Sequence, residues 1–286
     1  MTIFIFEEKL MNRSYLNAAM LLLMMAGGYE SVSAAEPLTT DESPSMNESA
    51  ARRLKYMQES GQSYRVSDAD GKPIRFVSSP ALRWTNPVSG VNDGGLFFWE
   101  DANGRPVAAA QIFLIPKTER KWLHEFQSLA DQPMTFKHQG RIVWSPKQAG
   151  VEFKSVDGID APRSSPGARL IQMRRITQRF TVDDDFEGET ENRLRLMSTP
   201  LARYSSPGVI DGALFVYSHG TDPELFVMIE ARKQTSGEAA WFVALAPMTA
   251  YALKVQMDDQ PYWEAIWRRP PHAKSATFTN FVYPPQ

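Results

Sequence analysis

Not one of the 286 residues is a cysteine, so disulfides, thiol nucleophiles and thiolate-held metals are excluded. Charge of one sign is missing too. The chain carries 31 basic and 33 acidic residues, dispersed along its length, for a formal charge of −2. Such a balance leaves no electrostatic footprint for nucleic acid and no polybasic patch for a membrane surface. Long apolar runs are scarce. The longest, Ala18 to Gly28, has eleven residues, where a membrane-spanning helix needs about 20.

That short run has a specific setting. Arg13 precedes it and VSAAE follows, which is the basic, apolar and small-residue order of an export signal. The expected organisation begins with a signal peptide over 1–35, cut after Ala34 or Ala35, with Met11 as the better start. Export then removes Lys9, Arg13, Glu7, Glu8 and Glu30, so 31 basic and 33 acidic residues become 29 and 30. The mature protein is expected to be periplasmic or extracellular. Residues 36–45 (EPLTTDESPS) have the composition of a flexible leader.

What the rest of the sequence has in abundance is repetition. RFVSSPALRWTNP (75–87) and RLMSTPLARYSSP (195–207) align at a constant offset of 120, matching Arg75 with Arg195, Pro80 with Pro200, Arg83 with Arg203 and Trp84 with Tyr204. GVNDGGLFF (90–98) aligns with GVIDGALFV (208–216), which pairs Asp93 with Asp211. Upstream, Arg53, Leu54 and Met57 align with Arg169, Leu170 and Met173. The spacing predicts two tandem copies of about 110 residues, one over 46–156 and one over 165–286, joined by a linker at 157–164.

Each copy reads as a helix followed by strands. Ser45 and Glu48 form a capping box before a first helix that Gly61 can end. Ser165 and Pro166 start a second helix whose apolar side carries Leu170, Met173 and Phe180. The following runs are extended and separated by turn residues at DADG (68–71), ANGRP (102–106) and TDPE (221–224). Runs such as Leu96, Phe97, Phe98 and Trp99 are apolar on consecutive positions, as in strands covered on both faces. The expected class is α+β: two tandem copies of a helix plus a mainly antiparallel sheet of about five strands, packed as a pseudo-dimer. In that arrangement each copy covers an apolar sheet face of the other.

The segments LRWTNP, GGLFFWED and HEFQSL, followed by DGALFVYSHGTDPELFVMIEAR, resemble a set of uncharacterised exported proteins from planctomycete-type bacteria. The resemblance spans essentially the mature chain. It implies export and brings no activity, cofactor or site residue with it.

No stretch forms a specific catalytic or metal motif. His124 and Glu125 begin an HExxH-like pattern, but position 128 is Ser128 and the second ligand is missing. The acidic turn DDDFEGETE (183–191) lacks calcium-loop spacing, and there is no GxSxG. His138 and His272 lie in polar contexts. No metal and no cofactor is expected. The binding candidates are the paired positions Arg83, Trp84, Asp93, Arg203, Tyr204 and Asp211, together with His219, which a hairpin would bring near Asp222 and Glu224. Arginine beside an aromatic, answered by aspartate, makes a good internal salt bridge. The functional alternative is a groove lined by Trp84, Tyr204 and the two arginines. The expected function is a non-catalytic exported module that binds a macromolecule or envelope component; the sequence does not define its oligomeric state. The alternative is a hydrolase of an envelope or extracellular polymer, its cleft between the repeats lined by carboxylates such as Asp93, Asp211 or Glu100.

Overall fold

The consecutive apolar runs become the central strands of two sheets. The structure, a computed structural model, describes residues 46–116, 121–188, 192–235, 237–268 and 271–283. The signal, the leader and Ser45 fall outside the described residues. All of the described residues belong to one compact unit, Pro44–Gln286.

The chain enters through helix α1 (Met46–Ser63) and proceeds through β1 (Tyr64–Asp68), β2 (Arg75–Phe76), β3 (Leu82–Asn86), β4 (Val91–Glu100), β5 (Pro106–Leu114), β6 (Trp122–Ser128), β7 (Met134–His138), β8 (Arg141–Trp144) and β9 (Lys154–Ser155). Helix α2 (Pro166–Thr177) follows, then β10 (Phe180–Asp184), β11 (Asn192–Arg193), β12 (Arg195–Ser206), β13 (Val209–His219), β14 (Asp222–Lys233), β15 (Ala239–Pro247), β16 (Leu253–Met257), β17 (Gln260–Ala265) and β18 (Phe278–Tyr283).

This overturns the α+β expectation. Two α-helices stand against eighteen strands among the described residues, and the class is mainly β. The strands do not form one sheet per copy. They divide into four antiparallel sheets, ordered β18-β6-β5-β4-β2 with β3 also on β4, β12-β13-β14-β15-β9, β1-β7-β8 and β11-β10-β16-β17. The physical reason is a long-range pairing: β1 leaves the central sheet and pairs instead with β7, Val66 opposite Phe136. Likewise β10 pairs with β16. A second departure is an exchange of edges. Strand β9, which follows β8, adds to β15, whereas β18, which follows β17, adds to β6.

The helices hold smaller surprises. Gly61 does not end α1; it lies within it, where a Cβ would sit 2.3 Å from the Phe76 ring. Phe180 is not on α2 but opens β10, and the buried apolar side of α2 is Met173 and Ile176. Ser165 has extended backbone, and its Oγ accepts from the Ala168 amide at 3.2 Å, an N-cap with Pro166 beginning the helix. No helix among the described residues is long and apolar enough to cross a membrane.

Strand periodicity explains the apolar runs. On β14, Leu225, Val227, Ile229 and Ala231 face a core with Met173, Ile176, Phe180 and Val182, while Phe226 and Met228 join Leu96, Phe98 and Ala109 in the core between the two central sheets. On β4, Phe97 packs with Met57 of α1, and Trp99 packs with Phe126 and Phe136 toward the β1-β7-β8 sheet. The inter-sheet side of β14 thus reads Asp222, Glu224, Phe226, Met228, Glu230. Its middle is apolar and both ends are acidic.

Candidate functional site

The residues paired by the repeat are structural anchors. Asp93 on β4 is 3% exposed and accepts from Arg83 Nε at 2.7 Å and Nη2 at 2.6 Å, and from Arg53 Nε of α1 at 2.6 Å. Asp211 on β13 accepts from Arg203 Nε at 2.9 Å and Nη2 at 2.6 Å, and from Arg169 Nε of α2 at 2.8 Å. Arg83 and Arg203 also reach backbone carbonyls of the same helices, at Ala50 and Pro166. Each aspartate therefore ties a helix to its sheet. Burial disfavours both carboxylates, but the hydrogen bonds and charges of the two arginines outweigh it, and both stay below their ordinary pKa.

The aromatic partners lie inside. Trp84 is 2% exposed and Tyr204 6%, so neither ring offers the surface of a groove. Each covers a glycine. A Cβ at Gly94 would lie 2.5 Å from Trp84 Cε2, and one at Gly212 would lie 2.4 Å from Tyr204 Cε2. Gly94→Ala and Gly212→Ala are each expected to force the ring aside and lower the unfolding free energy by about 1–3 kcal/mol in urea denaturation. Glu100 pairs with Arg75 at the surface, and burial raises its pKa against that charge.

The chemistry converges elsewhere, at the acidic end of β14. Strand β13 ends on His219, and Gly220 turns the chain with φ +65°, which sets Asp222 directly opposite His219. The hairpin tip docks on β3, where the Thr221 hydroxyl meets the Thr85 carbonyl. His219 Nδ1 lies 3.1 Å from Asp184 Oδ2 at the end of β10. Across the inter-sheet space, register places Gln111 of β5 opposite Glu125 of β6, and Glu125 opposite Asn280 of β18. Gln111 Nε2 donates to the Pro223 carbonyl at 2.8 Å, and Asn86 Nδ2 approaches Asp222 Oδ2 at 3.4 Å. Gln111 Oε1 is buried without a hydrogen-bond partner among the described residues.

Glu125, Asp222 and Glu224 form an acid recess with these amides. Burial pushes Glu125 up to about 8, reinforced by Asp222 and opposed by the Asn280 amide. Burial raises Asp222 to about 7 against hydrogen bonds from Asn86 and Gln111, with the Asp184 charge adding to the rise. Glu224 is pushed well up by burial and by Asp222, Asp184 and Glu125. Glu125 and Asp222 are half-buried, so solvent reaches the recess, whereas Glu224 is 5% exposed. Beside His219, half-buried Phe186, Tyr251 and Trp267 form a row with centroid spacings of 5.2 and 4.8 Å. The Phe186 ring sits 5.1 Å from His219, and the Trp267 indole donates to Asp185.

At neutral pH, Glu125 carries its proton and Asp222 titrates, while Glu224 is held well above its ordinary value. The recess then presents hydroxyl donors, carbonyl acceptors and amides with little net charge. Of the sequence candidates, the structure brings His219 here and leaves Arg83, Trp84, Asp93, Arg203, Tyr204 and Asp211 in the two anchors. His124, on the opposite side of β6 from Glu125, lies 2.8 Å from Tyr64 Oη, and burial with the His138 charge depresses it to about 3. His138 ends β7 opposite Tyr64, and His272 is in the connection after β17. In the acidic turn, Asp183 pairs with Arg193, and residues 189–191 fall outside the described residues. Among the described residues, no three His, Asp or Glu side chains are arranged to hold a metal.

Glu125, Gln111, Asn86 and Asn280 were not foreseen as a site. Their signal was polarity inside apolar strands, above all Gln111 in VAAAQIFLI. No protein-family model, curated protein or solved structure matches this chain.

Proposed function

We propose that this chain is an exported, non-catalytic module that binds a hydroxyl- and amide-rich polymer of the envelope or extracellular space at the acid recess. One observation carries the reading: Glu125 and Asp222, raised to about 8 and 7, stand among Asn86, Gln111 and Asn280 in a solvent-reached recess. Uncharged acids and amides offer paired donors and acceptors for neutral polar groups, and the adjacent aromatic row provides a stacking surface. Export rests on Arg13, the run 18–28 and VSAAE. Its check is mass spectrometry of the protein recovered from the envelope or medium, expected to begin at residue 35 or 36.

The repeated sequence is best read as an internal duplication. The recurring arginine–aspartate anchors and the reciprocal placement of β9 and β18 support this reading.

Retention on purified peptidoglycan sacculi and on neutral polysaccharide gels, at pH 6 and pH 9, tests the binding proposal. Retention is expected at pH 6 and reduced at pH 9, and Asp222→Asn with Glu125→Gln is expected to bind at both. Equal retention at both pH values by the unaltered protein and by Glu125→Ala would remove the recess from the account. A hydrolase is the second reading, favoured by a proton-bearing Glu125 beside an Asp222 that is largely ionised just above neutrality. Release of soluble fragments that Glu125→Gln abolishes would establish it in place of simple binding.

A further inference from the structure

A separate feature lies where the connections to the exchanged strands meet. An open cleft of about 440 Å³ is lined by Gln148, Gly150 and Glu152 from the β8–β9 connection, Trp263 from β17, and Arg268 and Thr277 from the β17–β18 connection. These connections are held in place. The Ser145 and Lys147 amides donate to Lys274 and Ser275 carbonyls at 2.8 and 3.1 Å, and the Trp144 indole donates to the Ala276 carbonyl at 2.8 Å. Gly150 presses on β6 so closely that a Cβ would meet the Ser128 carbonyl oxygen at 2.1 Å. The cleft wall is therefore fixed before anything binds.

Arg268 is out of keeping with the other recessed arginines. Arg53, Arg83, Arg105, Arg169, Arg203 and Arg232 each have a carboxylate. The Arg268 guanidinium instead donates from Nη1 to Thr277 Oγ1 at 3.3 Å and lies 5.4 Å from the Phe278 ring centre. Burial alone shifts its pKa, downward to about 10, so it remains charged at neutral pH without a described carboxylate to compensate it. A half-buried guanidinium whose remaining donors have no partner among the described residues, in a preformed cleft, costs desolvation that a bound anion offsets.

We propose that this cleft is a carboxylate-binding site, with Arg268 as the anion clamp, the Thr277 hydroxyl as a second donor and Trp263 as the wall for the group that bears the carboxylate. Glu152 narrows the choice. It lines the same cleft, is solvent-exposed, and makes no ion pair with Arg268. Its charge opposes a second negative charge on the ligand, which favours a singly charged planar carboxylate over sulfate or a phosphate monoester. The planar guanidinium fork fits the same geometry. The site stands apart from the acid recess and does not depend on it.

The probe is N-acetylalanine, with N-acetylalaninamide as its uncharged control and sulfate as the dianion, followed by isothermal titration calorimetry and by the thermal midpoint. The carboxylate is expected to bind saturably and raise Tm by mass action; the amide is expected to do neither. Arg268→Met is expected to fold with an unchanged or higher Tm without ligand and to weaken binding at least about tenfold, since it removes the charge-assisted hydrogen bonds to the carboxylate. Glu152→Gln, at an exposed position, is expected to tighten carboxylate binding and admit sulfate. Absence of saturable carboxylate binding, equal binding of the amide, or full binding by Arg268→Met would overturn the proposal. Sulfate binding more tightly than the carboxylate to the unaltered protein would overturn the assignment to a singly charged ligand. An N-acetylalanine effect lost with Arg268→Met but absent for free acetate would identify a chain-end carboxylate as the source; equal effects would identify small free acids.

Discussion

Glu230→Ala is expected to lower the unfolding free energy by about 3–5 kcal/mol, the cost of leaving buried charges uncompensated. Glu230 is fully buried on β14. Its Oε1 accepts from Arg105 Nε at 3.0 Å and from the Tyr204 hydroxyl at 2.8 Å, and its Oε2 accepts from Arg232 Nε at 2.6 Å. Arg105 comes from the β4–β5 turn, so the cluster binds the two central sheets together at the end opposite the acid recess. Phe153 lies against both guanidiniums, at 3.9 Å from Arg232 and 5.6 Å from Arg105. Removing the carboxylate strands two cations and a phenol hydroxyl. Urea unfolding of the variant measures the loss. Adding Arg105→Met is expected to recover part of it, because an apolar replacement of both partners avoids the unpaired charge. A loss below about 1 kcal/mol would mean that the pair contributes no more than a surface bridge.

Stability is expected to fall by roughly 3 kcal/mol between pH 6.5 and pH 9. The sign follows from the raised carboxyl groups. Glu125 and Asp222 ionise near 8 and 7 in the folded protein but near 4 when unfolded. The folded chain holds the extra protons, so their contribution is complete below about pH 4 and is lost as pH rises through 7 and 8. Glu224 acts in the same direction. His124 acts in the other: depressed to about 3, it stabilises above its unfolded value near 6.5 and loses that contribution as pH falls. Starting the comparison at pH 6.5 largely removes its influence. The lowered Asp93 and Asp211 matter only on the acid side, where their stabilisation is lost as they protonate. Thermal midpoints across this range are the measurement. Glu125→Gln with Asp222→Asn is expected to flatten the profile, and a Tm that rises from pH 6.5 to 9 would contradict the assigned direction.

Local structure was legible where one short segment decides it. Ser165 and Pro166 marked a helix start, and the turn residues of HGTD (219–222) marked a hairpin that set His219 against the acids. Arg83 with Asp93, and Arg203 with Asp211, were readable as ion pairs because the repeat wrote each pair twice. The division into four sheets was not readable. It depends on β1 meeting β7 some 70 residues away, a pairing that local periodicity does not encode. The two-residue strand β9 and the terminal strand β18 carry little pattern, yet they complete the opposite sheets. The two expected helices form, but eighteen strands stand among the described residues where about five per copy were expected, and this is what makes the class mainly β. Glu125 stood out in the sequence only through an HExxH-like pattern that Ser128 breaks, and strand alternation sends its side chain to the opposite face of β6 from His124. The recess became visible only when register aligned Gln111, Glu125 and Asn280 and brought Asp222 and Glu224 across from the second sheet.

The function assigned to the recess requires proton-bearing carboxyl groups there at neutral pH. Carbon-13 NMR titration of the Asp and Glu carboxyl signals, assigned with Glu125→Gln and Asp222→Asn, tests it directly. One signal is expected to titrate near pH 8 and to disappear in the first variant, and one near pH 7 to disappear in the second. If every carboxyl group of the folded protein titrates below about pH 5.5, within the ordinary range, the recess is an ionised surface and the account of its function is wrong.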